Sequence, residues 1–300
     1  MSPERAVRPV RTDRLLRPLG WASLVANMLL VVTGGAVRLT GSGLGCPTWP
    51  RCSGRSFTPH GAYDVHAAIE FGNRMLTFVL VAVAVATFAA AWRSRRRVLR
   101  RLALVLALAI PAQAVVGGVT VLTDLNPWVV SFHLLISLAM IGVAVVFLRR
   151  VDHPDPVRAH GPVVGLAWAT FAAAWAVLYV GTVVTGSGPH AGDVHAPRNG
   201  LDPLQLSQLH ADVVFLFVGL TVGLLGALLA TGTRAEARTA VLVLLGLELA
   251  QGAVGFVQYF TDLPVALVAV HMLGAALISA SVTWTLVRVR EPALGEPLSS

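Results

Sequence analysis

The chain has 300 residues, of which 55% are hydrophobic and only 13% are charged, and its formal net charge is +8. Soluble globular domains carry about 25% charged residues, so this composition excludes an ordinary soluble globule. The positive charge alone would permit nucleic-acid binding, but the placement of the arginines points elsewhere.

Long apolar blocks follow one another through the whole sequence. A transmembrane helix needs about 20 mostly apolar residues. Eight blocks meet this requirement: 18–38, 67–92, 102–121, 128–148, 162–184, 205–230, 238–259 and 264–287. They predict an all-α integral membrane protein with eight transmembrane helices and almost no soluble part.

The arginines indicate how these helices are oriented. They cluster before the first span, at 93–101, at 149–158, at 234–238 and at 288–290. With eight spans, all these segments fall on one side, which the positive-inside rule makes cytoplasmic. We therefore predict a multi-pass plasma-membrane protein in contact with the lipid bilayer and not with nucleic acid. The predicted cytoplasmic segments are a basic tail (1–17), a linker (151–161) and a second tail (289–300).

Both cysteines, Cys46 and Cys52, lie in the first loop, which this orientation places outside the cytoplasm. Six positions of separation can bring two Cα atoms within disulfide range, and disulfides persist in oxidising compartments. The spacing leaves open a static staple and a redox-active pair. A zinc site is disfavoured because no second pair of thiols exists.

An internal repeat divides the chain. Residues 113–136 align without gaps to residues 251–274 with ten of 24 positions identical, and TGSG at 40–43 recurs at 185–188. The repeat predicts two pseudosymmetric four-helix bundles, 18–150 and 162–288. Because each half has an even number of spans, the halves run parallel, related by an axis along the membrane normal.

Three of the nine histidines lie one to two turns inside even-numbered spans, at similar depth: His133, His210 and His271. Ionisable residues inside spans are rare and usually functional. Facing histidines on neighbouring helices of a bundle can ligate a haem iron from both sides. The loop histidines are expected to be solvated: His60, His190 and His195 outside, and His153 and His160 in the cytoplasm.

The two halves differ in these histidines. The second half has a complete pair, His210 and His271, whereas the repeat equivalent of His210 in the first half is Asn73. Glu70 and Arg74 stand at i and i+4 beside Asn73, and His66 lies one turn before Glu70. The half with both histidines suits a permanent cofactor, and the half with incomplete ligation and intramembrane charges suits a reaction.

With these residues the sequence resembles the haem A synthase family over about 17–288. The motifs that carry the resemblance are GGAVRLTGSGLGCPTWPRC, IEFGNR, DLNPWVVSFHLL, QLHAD and DLPVALVAVHML. Members oxidise haem O to haem A for terminal oxidases, and they hold a haem b cofactor in the C-terminal half. The resemblance implies the same reaction here, with haem O as the substrate.

The resemblance also implies roles for individual residues. His210 and His271 would ligate the haem b iron, and His133 would face the substrate haem iron. Glu70 would be catalytic together with Asn73 and Arg74. Many members carry a histidine where this chain has Asn73, so either His66 substitutes for it or His133 ligates alone. Cys46 and Cys52 match the family's loop cysteines, and we predict that they form a disulfide.

The implied partners are an upstream haem O synthase, an unidentified electron donor and a thiol–disulfide partner, with a homo-oligomer left open. The alternative function is a transmembrane electron-transfer protein that holds haem b by paired histidines. Such a protein would be expected to have histidine pairs in both halves. A transporter would be expected to have broken helices near the membrane midplane.

Overall fold

The computed structural model describes residues 13–54, 56–59, 64–152, 161–232 and 235–291. Within these ranges the chain forms eight α-helices and no β-strand. They are α1 (Asp13–Leu39), α2 (Val65–Arg93), α3 (Arg97–Leu122), α4 (Pro127–Asp152), α5 (Pro162–Ser187), α6 (Pro203–Ala230), α7 (Ala235–Phe260) and α8 (Val265–Val289). All eight are long and apolar enough to cross a membrane. The predicted all-α, eight-span class is therefore confirmed.

Parts of the predicted cytoplasmic segments lie outside the described residues. These parts are 1–12 of the first tail, 153–160 of the linker and 292–300 of the second tail. His153 and His160 fall in this group, as does His60 of the first loop.

Large apolar side chains lie on the outer surface of the helices, and small polar side chains lie between the helices. Large apolar side chains such as Phe78 and Phe215 are about two-thirds exposed (65% and 64%), whereas Thr221 and Ser279 are completely buried. Helices that associate in lipid pack through small and hydroxyl-bearing residues, because lipid tails solvate the large apolar ones. The distribution is therefore that of a bundle surrounded by hydrocarbon.

The eight helices form two rings of four. In the first, α1 contacts α2 and α4, and α3 joins α2 to α4; in the second, α5 contacts α6 and α8, and α7 joins α6 to α8. The rings meet through α1, α4, α5 and α8, while in the described part of the chain α2, α3, α6 and α7 contact only their own half. This is the pair of four-helix bundles that the repeat predicts.

Polar contacts reinforce the junction between the halves. The hydroxyl of Ser279 on α8 donates to the carbonyl of Leu138 on α4 at 2.8 Å. At the end of the bundle where α4 and α8 finish, Arg149 of α4 makes a bidentate ion pair with Glu291, just beyond α8. The other end carries the loop with both cysteines, and we call it the disulfide end.

Each half turns into its last helix in the same way. Asp124 and Leu125 before α4, and Asp262 and Leu263 before α8, all have positive φ, between 51° and 60°. The N–H of each leucine donates to the carbonyl five residues earlier, at 2.8 and 2.9 Å. Positive φ is uncommon for leucine, so the repeat preserves an unusual turn. This turn starts α4 and α8 in equivalent positions.

The second helix of each half also begins alike. Asp64 caps α2 by accepting the N–H of His66, and Asp202 caps α6 by accepting that of Leu204, both at 2.9 Å. A capping carboxylate satisfies one of the N–H groups that lack an intrahelical partner. Both caps lie at the disulfide end, so the residues that follow enter the bundle from that end.

Candidate functional site

Three histidines enter the bundle at the same depth from the disulfide end. His133 is six residues after the start of α4, His210 seven after the start of α6, and His271 six after the start of α8. At 1.5 Å per residue, each lies roughly 9–11 Å inside its helix. All three side chains are half-buried. They form a polar layer in an otherwise apolar part of the bundle.

In the second half, two of these histidines share the bundle interior. His210 packs against Gly181 of α5, where an added Cβ would lie 3.1 Å from its ring, and His271 packs against Gly255 of α7 at 3.5 Å. α5 and α7 each contact both α6 and α8, the helices that carry these two histidines. The two glycines thus leave space for the two imidazole rings inside the second four-helix bundle.

These imidazoles have unsatisfied polar atoms. The Nδ1 atoms of His210 and His271 are buried without a hydrogen-bond partner among the described residues, and so is that of His133. Buried polar groups normally have hydrogen-bond partners, so a buried imidazole nitrogen without one indicates a binding site for a group other than the protein's own side chains. Nowhere in the described ranges do three His, Cys, Asp or Glu side chains gather as a metal-ion site. Two imidazoles fit a metal whose other ligands come from a macrocycle.

A glutamine holds the backbone of the last histidine in each half. The Gln113 side-chain amide donates to the carbonyl of His133, and that of Gln251 donates to the carbonyl of His271, both at 2.9 Å. The two glutamines are partners in the internal repeat. Both halves therefore set their last helix by the same contact, made from the helix that precedes it.

The first half lacks a second histidine at this depth. His133 packs against Gly117, where a Cβ would lie 3.1 Å from its ring. Asn73 accepts a hydrogen bond from the hydroxyl of Thr33 at 2.8 Å.

His66 stands apart from that layer. It lies in the exposed first turn of α2, and its Nδ1 contacts the hydroxyl of Ser42 at 3.0 Å. His66 thus faces the first loop, whereas Asn73 lies about two turns deeper in the same helix.

Glu70 and Arg74 clamp the loop that carries the cysteines. Glu70, only 5% exposed, accepts the backbone N–H of Cys46 at 2.6 Å and pairs with Arg74 at 2.5 Å. The guanidinium of Arg74 also reaches the carbonyls of Cys46, Thr48 and Arg51, at 3.1 to 3.4 Å. Glu70 and Arg74, which stand at i and i+4, thus form an ion pair, and both are bound to the loop.

A disulfide joins Cys46 to Cys52, as predicted, with a Cα–Cα distance of 4.3 Å. The two residues are 0% and 3% exposed. Between them, Trp49 reaches across to α3, where its indole fills the space that a side chain at Gly118 would need. Gly118 adjoins Gly117, the residue under His133. The closed loop therefore covers the disulfide end of the first half on the His133 side.

A second set of loop contacts joins the halves at the same end. Arg38 at the end of α1 donates to the carbonyls of His190 and Thr185, at 2.6 and 3.0 Å. The His190 ring contacts the carbonyl of Leu263 at 2.9 Å. The expectation that His190 is a solvated loop residue is therefore wrong. Sequence reasoning missed it because contacts between distant loops leave no periodic pattern.

Sequence reasoning also missed Glu248, a buried carboxyl group in the middle of α7. It is 3% exposed, and one of its oxygens contacts the hydroxyl of Thr221 on α6 at 2.7 Å. An acidic residue inside an apolar span is itself a signal of function, and that signal was available in the seventh block.

Comparisons with known proteins agree on one family. A family profile described as "Cytochrome oxidase assembly protein" (COX15-CtaA) matches residues 17–193, more than half of the chain. A "Heme A synthase" from Geobacillus thermodenitrificans is 30% identical over 122 residues, which are 40% of this chain and 38% of that protein. One from Staphylococcus epidermidis is 25% identical over 224 residues, or 68% and 74% of the two chains. One from Lysinibacillus sphaericus is 31% identical over 183 residues, or 56% and 58%.

Proposed function

The chain belongs to the COX15-CtaA family of cytochrome oxidase assembly proteins, and we propose that it is a haem A synthase, which oxidises a methyl group of haem O to the formyl group of haem A. The observation that carries the proposal is the asymmetry between the halves. One half carries both His210 and His271 in its interior, while the other has His133 beside the loop that Glu70 and Arg74 hold.

We assign the second half to a resident haem b. His210 and His271 would hold its iron, consistent with their rings packed against glycines and their Nδ1 atoms without partners. Gln251 fixes the backbone of His271 and so helps to hold that ring in place. When bound, haem b supplies one-electron redox chemistry. The protein's task there is to orient the two imidazoles and to exclude water.

We assign the first half to the substrate, haem O. His133 is the one histidine at the depth of the pair in this half, and it would face the substrate iron. Asn73 occupies the position of the missing partner, and its carbonyl oxygen already accepts from Thr33. A substrate that must leave again is better served by one imidazole than by two, because weaker axial ligation makes release easier.

Glu70, Asn73 and Arg74 are the proposed catalytic group. Glu70 lies one turn before Arg74 on α2, under the disulfide loop. Its ion pair and its bond to Cys46 hold the carboxylate in one orientation, which a group that must accept or relay a proton needs. The same contacts hold the loop closed over the half that we assign to the substrate.

The proposed orientation places the disulfide end outside the cytoplasm, because the arginine clusters lie at the opposite end. Haem O would be supplied by a haem O synthase and electrons by a separate donor. The near-complete burial of Cys46 and Cys52 supports a structural staple over exchange with a thiol partner, since reactive cysteines are partly exposed.

The alternative, a transmembrane electron-transfer protein, would use a histidine pair in each half. The first half has Asn73 where the second has His210, and family membership also counts against this alternative.

The experiment is to supply haem O to the purified protein with a reductant and oxygen, then to extract and separate the haems. The expected result is haem b that persists unchanged, together with conversion of haem O to haem A. The matched control is a His133→Ala variant, which should keep haem b and lose conversion. Haem b alone, with supplied haem O left intact by the wild-type protein, would favour the electron-transfer alternative.

A further inference from the structure

Glu248 is an acidic residue in the core of the second bundle, away from the histidine layer. Among the described residues no arginine forms an ion pair with it, and its Oε2 atom is buried without a hydrogen-bond partner. Leu244 and Phe217, one turn before Glu248 and Thr221 respectively, are 0% and 2% exposed. An ionised carboxylate in such surroundings has a large desolvation cost and no charged partner to offset it.

The hydroxyl of Thr221 is the one hydrogen-bond partner of Glu248 among the described residues. Its Oγ1 atom is 2.7 Å from Oε1 of Glu248 and 3.0 Å from the carbonyl oxygen of Phe217, and it donates in both contacts. A threonine hydroxyl has one hydrogen, which is therefore shared between the two oxygens. A shared hydroxyl hydrogen does not replace a cation beside a buried carboxylate. These surroundings favour the neutral acid.

The repeat shows that this contact belongs to one half. Glu248 stands three residues before Gln251, where the first half has Ile110 three residues before Gln113. Thr221 stands eleven residues after His210, where the first half has Ala84 eleven residues after Asn73. Ile110 and Ala84 are both buried in one apolar cluster. The polar pair therefore occurs only in the half with two histidines.

The position of Glu248 on α7 suggests its purpose. One turn along the same helix, the side-chain amide of Gln251 donates a hydrogen bond to the carbonyl of His271 on α8. Glu248 is hydrogen-bonded to the hydroxyl of Thr221 on α6, the helix that carries His210. Through these two contacts α7 joins both ligand-bearing helices and sets their separation.

We propose that Glu248 is a neutral carboxylic acid that accepts the hydroxyl of Thr221 and acts as a positioning residue for the His210–His271 pair. The neutral state rests on the burial of Glu248 without an ion-pair partner among the described residues. The positioning role rests on the proposed function, because it concerns the haem assigned to that pair.

The first test measures the proton directly, with or without bound haem. The infrared spectrum of the purified protein in lipid should show the C=O stretch of a protonated carboxylic acid, shifted on exchange into deuterium oxide. Glu248→Gln should abolish this band, and Thr221→Val should move it to the position of a weakly bonded acid. Absence of the band from the wild type, or its persistence in Glu248→Gln, would overturn the assignment.

The second test uses the midpoint potential and the low-spin spectrum of the haem held by His210 and His271. Glu248→Gln should preserve both, because the oxygen of a neutral amide can also accept from Thr221. Glu248→Leu and Thr221→Val should each broaden the low-spin signal and shift the potential, and Thr221→Ser should restore the wild-type values. If Glu248→Gln is as disruptive as Glu248→Leu, or if all variants match the wild type, the positioning role is wrong. A wild-type protein without the low-spin spectrum would overturn the proposed function but leave the infrared result standing.

Discussion

The carboxylate of Glu70 accepts the backbone N–H of Cys46 at 2.6 Å, so the second turn of α2 is joined directly to the disulfide. The residue expected to serve the reaction thus also holds the loop. These two roles make different predictions.

We expect Glu70→Gln to remain in the membrane with haem at His210 and His271, yet to form little haem A. Glutamine has the size of glutamate but cannot form an ion pair with Arg74. Hydrogen bonds to charged groups contribute roughly 1.5–3 kcal/mol, so the loop should loosen as well. The measurements are haem A yield and the rate at which reductant opens the Cys46–Cys52 disulfide.

Arg74→Lys is the control that separates the two roles. Lysine keeps a positive charge beside Glu70 but lacks the planar guanidinium group that reaches three carbonyls of the loop. Reductant should therefore open the disulfide of Arg74→Lys faster than that of Glu70→Gln. Arg74→Lys should nevertheless retain more activity than Glu70→Gln. If Arg74→Lys and Glu70→Gln lose activity equally and their disulfides open at equal rates, the role of Glu70 is only to hold the loop. A normal haem A yield from Glu70→Gln would remove the catalytic role.

The contact between Trp49 and Gly118 gives a second prediction. A Cβ at Gly118 would lie 2.3 Å from the indole, so Gly118→Ala should displace Trp49 and cost about 1–3 kcal/mol of stability, as overpacked sites do. Haem A yield should fall because the loop no longer covers the first half. Gly72→Ala is the matched control, since no atom lies within 4 Å of its new Cβ. Thermal unfolding and haem A yield should be normal in that control; equal behaviour of the two variants would contradict the prediction.

The fold was largely predictable because its signals are long and periodic. Eight apolar blocks determine the helices, and an ungapped repeat that includes His133 and His271 relates the two halves. The depth of the histidines follows from the count of residues after each turn. These inferences need only local sequence and the thickness of a bilayer.

The contacts at the disulfide end were not predictable in this way. Trp49 meets Gly118 and Arg38 meets His190 across many residues of chain, and nothing periodic links such partners. Glu248 is different, since an acidic residue within an apolar span is visible in sequence. What sequence could not provide was Thr221, whose hydroxyl gives the acid a partner.

His66 and His133 should differ sharply when replaced. His66 lies in the exposed first turn of α2, with its ring against Ser42, whereas His133 lies deeper, against Gly117. We expect His66→Ala to retain most haem A formation and His133→Ala to lose it. Titration of supplied haem O, followed by absorbance, should show weakened binding only in His133→Ala. A comparable loss in His66→Ala would instead make His66 the replacement for the missing helix-2 histidine.

Replacing either His210 or His271 with Leu should abolish the low-spin, bis-imidazole spectrum of the purified protein. With one imidazole removed, only one of the two proposed ligands would remain, so the bis-imidazole spectrum would be lost. His195→Leu is a suitable control, because that residue lies exposed in a loop at the same end of the molecule. If both single variants keep the wild-type spectrum, the cofactor has been assigned to the wrong half.

The disulfide gives the last prediction. Closing a loop of about seven residues stabilises a protein by roughly 2–3 kcal/mol, mainly through the unfolded chain, which is modest against eight packed helices. Cys46→Ser/Cys52→Ser should therefore insert and hold haem b at its two histidines.

The loop itself should suffer more in this double variant, because Arg74 and Trp49 bind a segment whose shape the disulfide sets. We expect poor conversion of haem O, with the low-spin spectrum unchanged. Mass spectrometry of wild-type protein alkylated without reductant should find neither thiol labelled, since both sulfurs are bonded and buried. Wild-type haem A yield from the double variant would show that Glu70, Arg74 and Trp49 hold the loop without the disulfide's help.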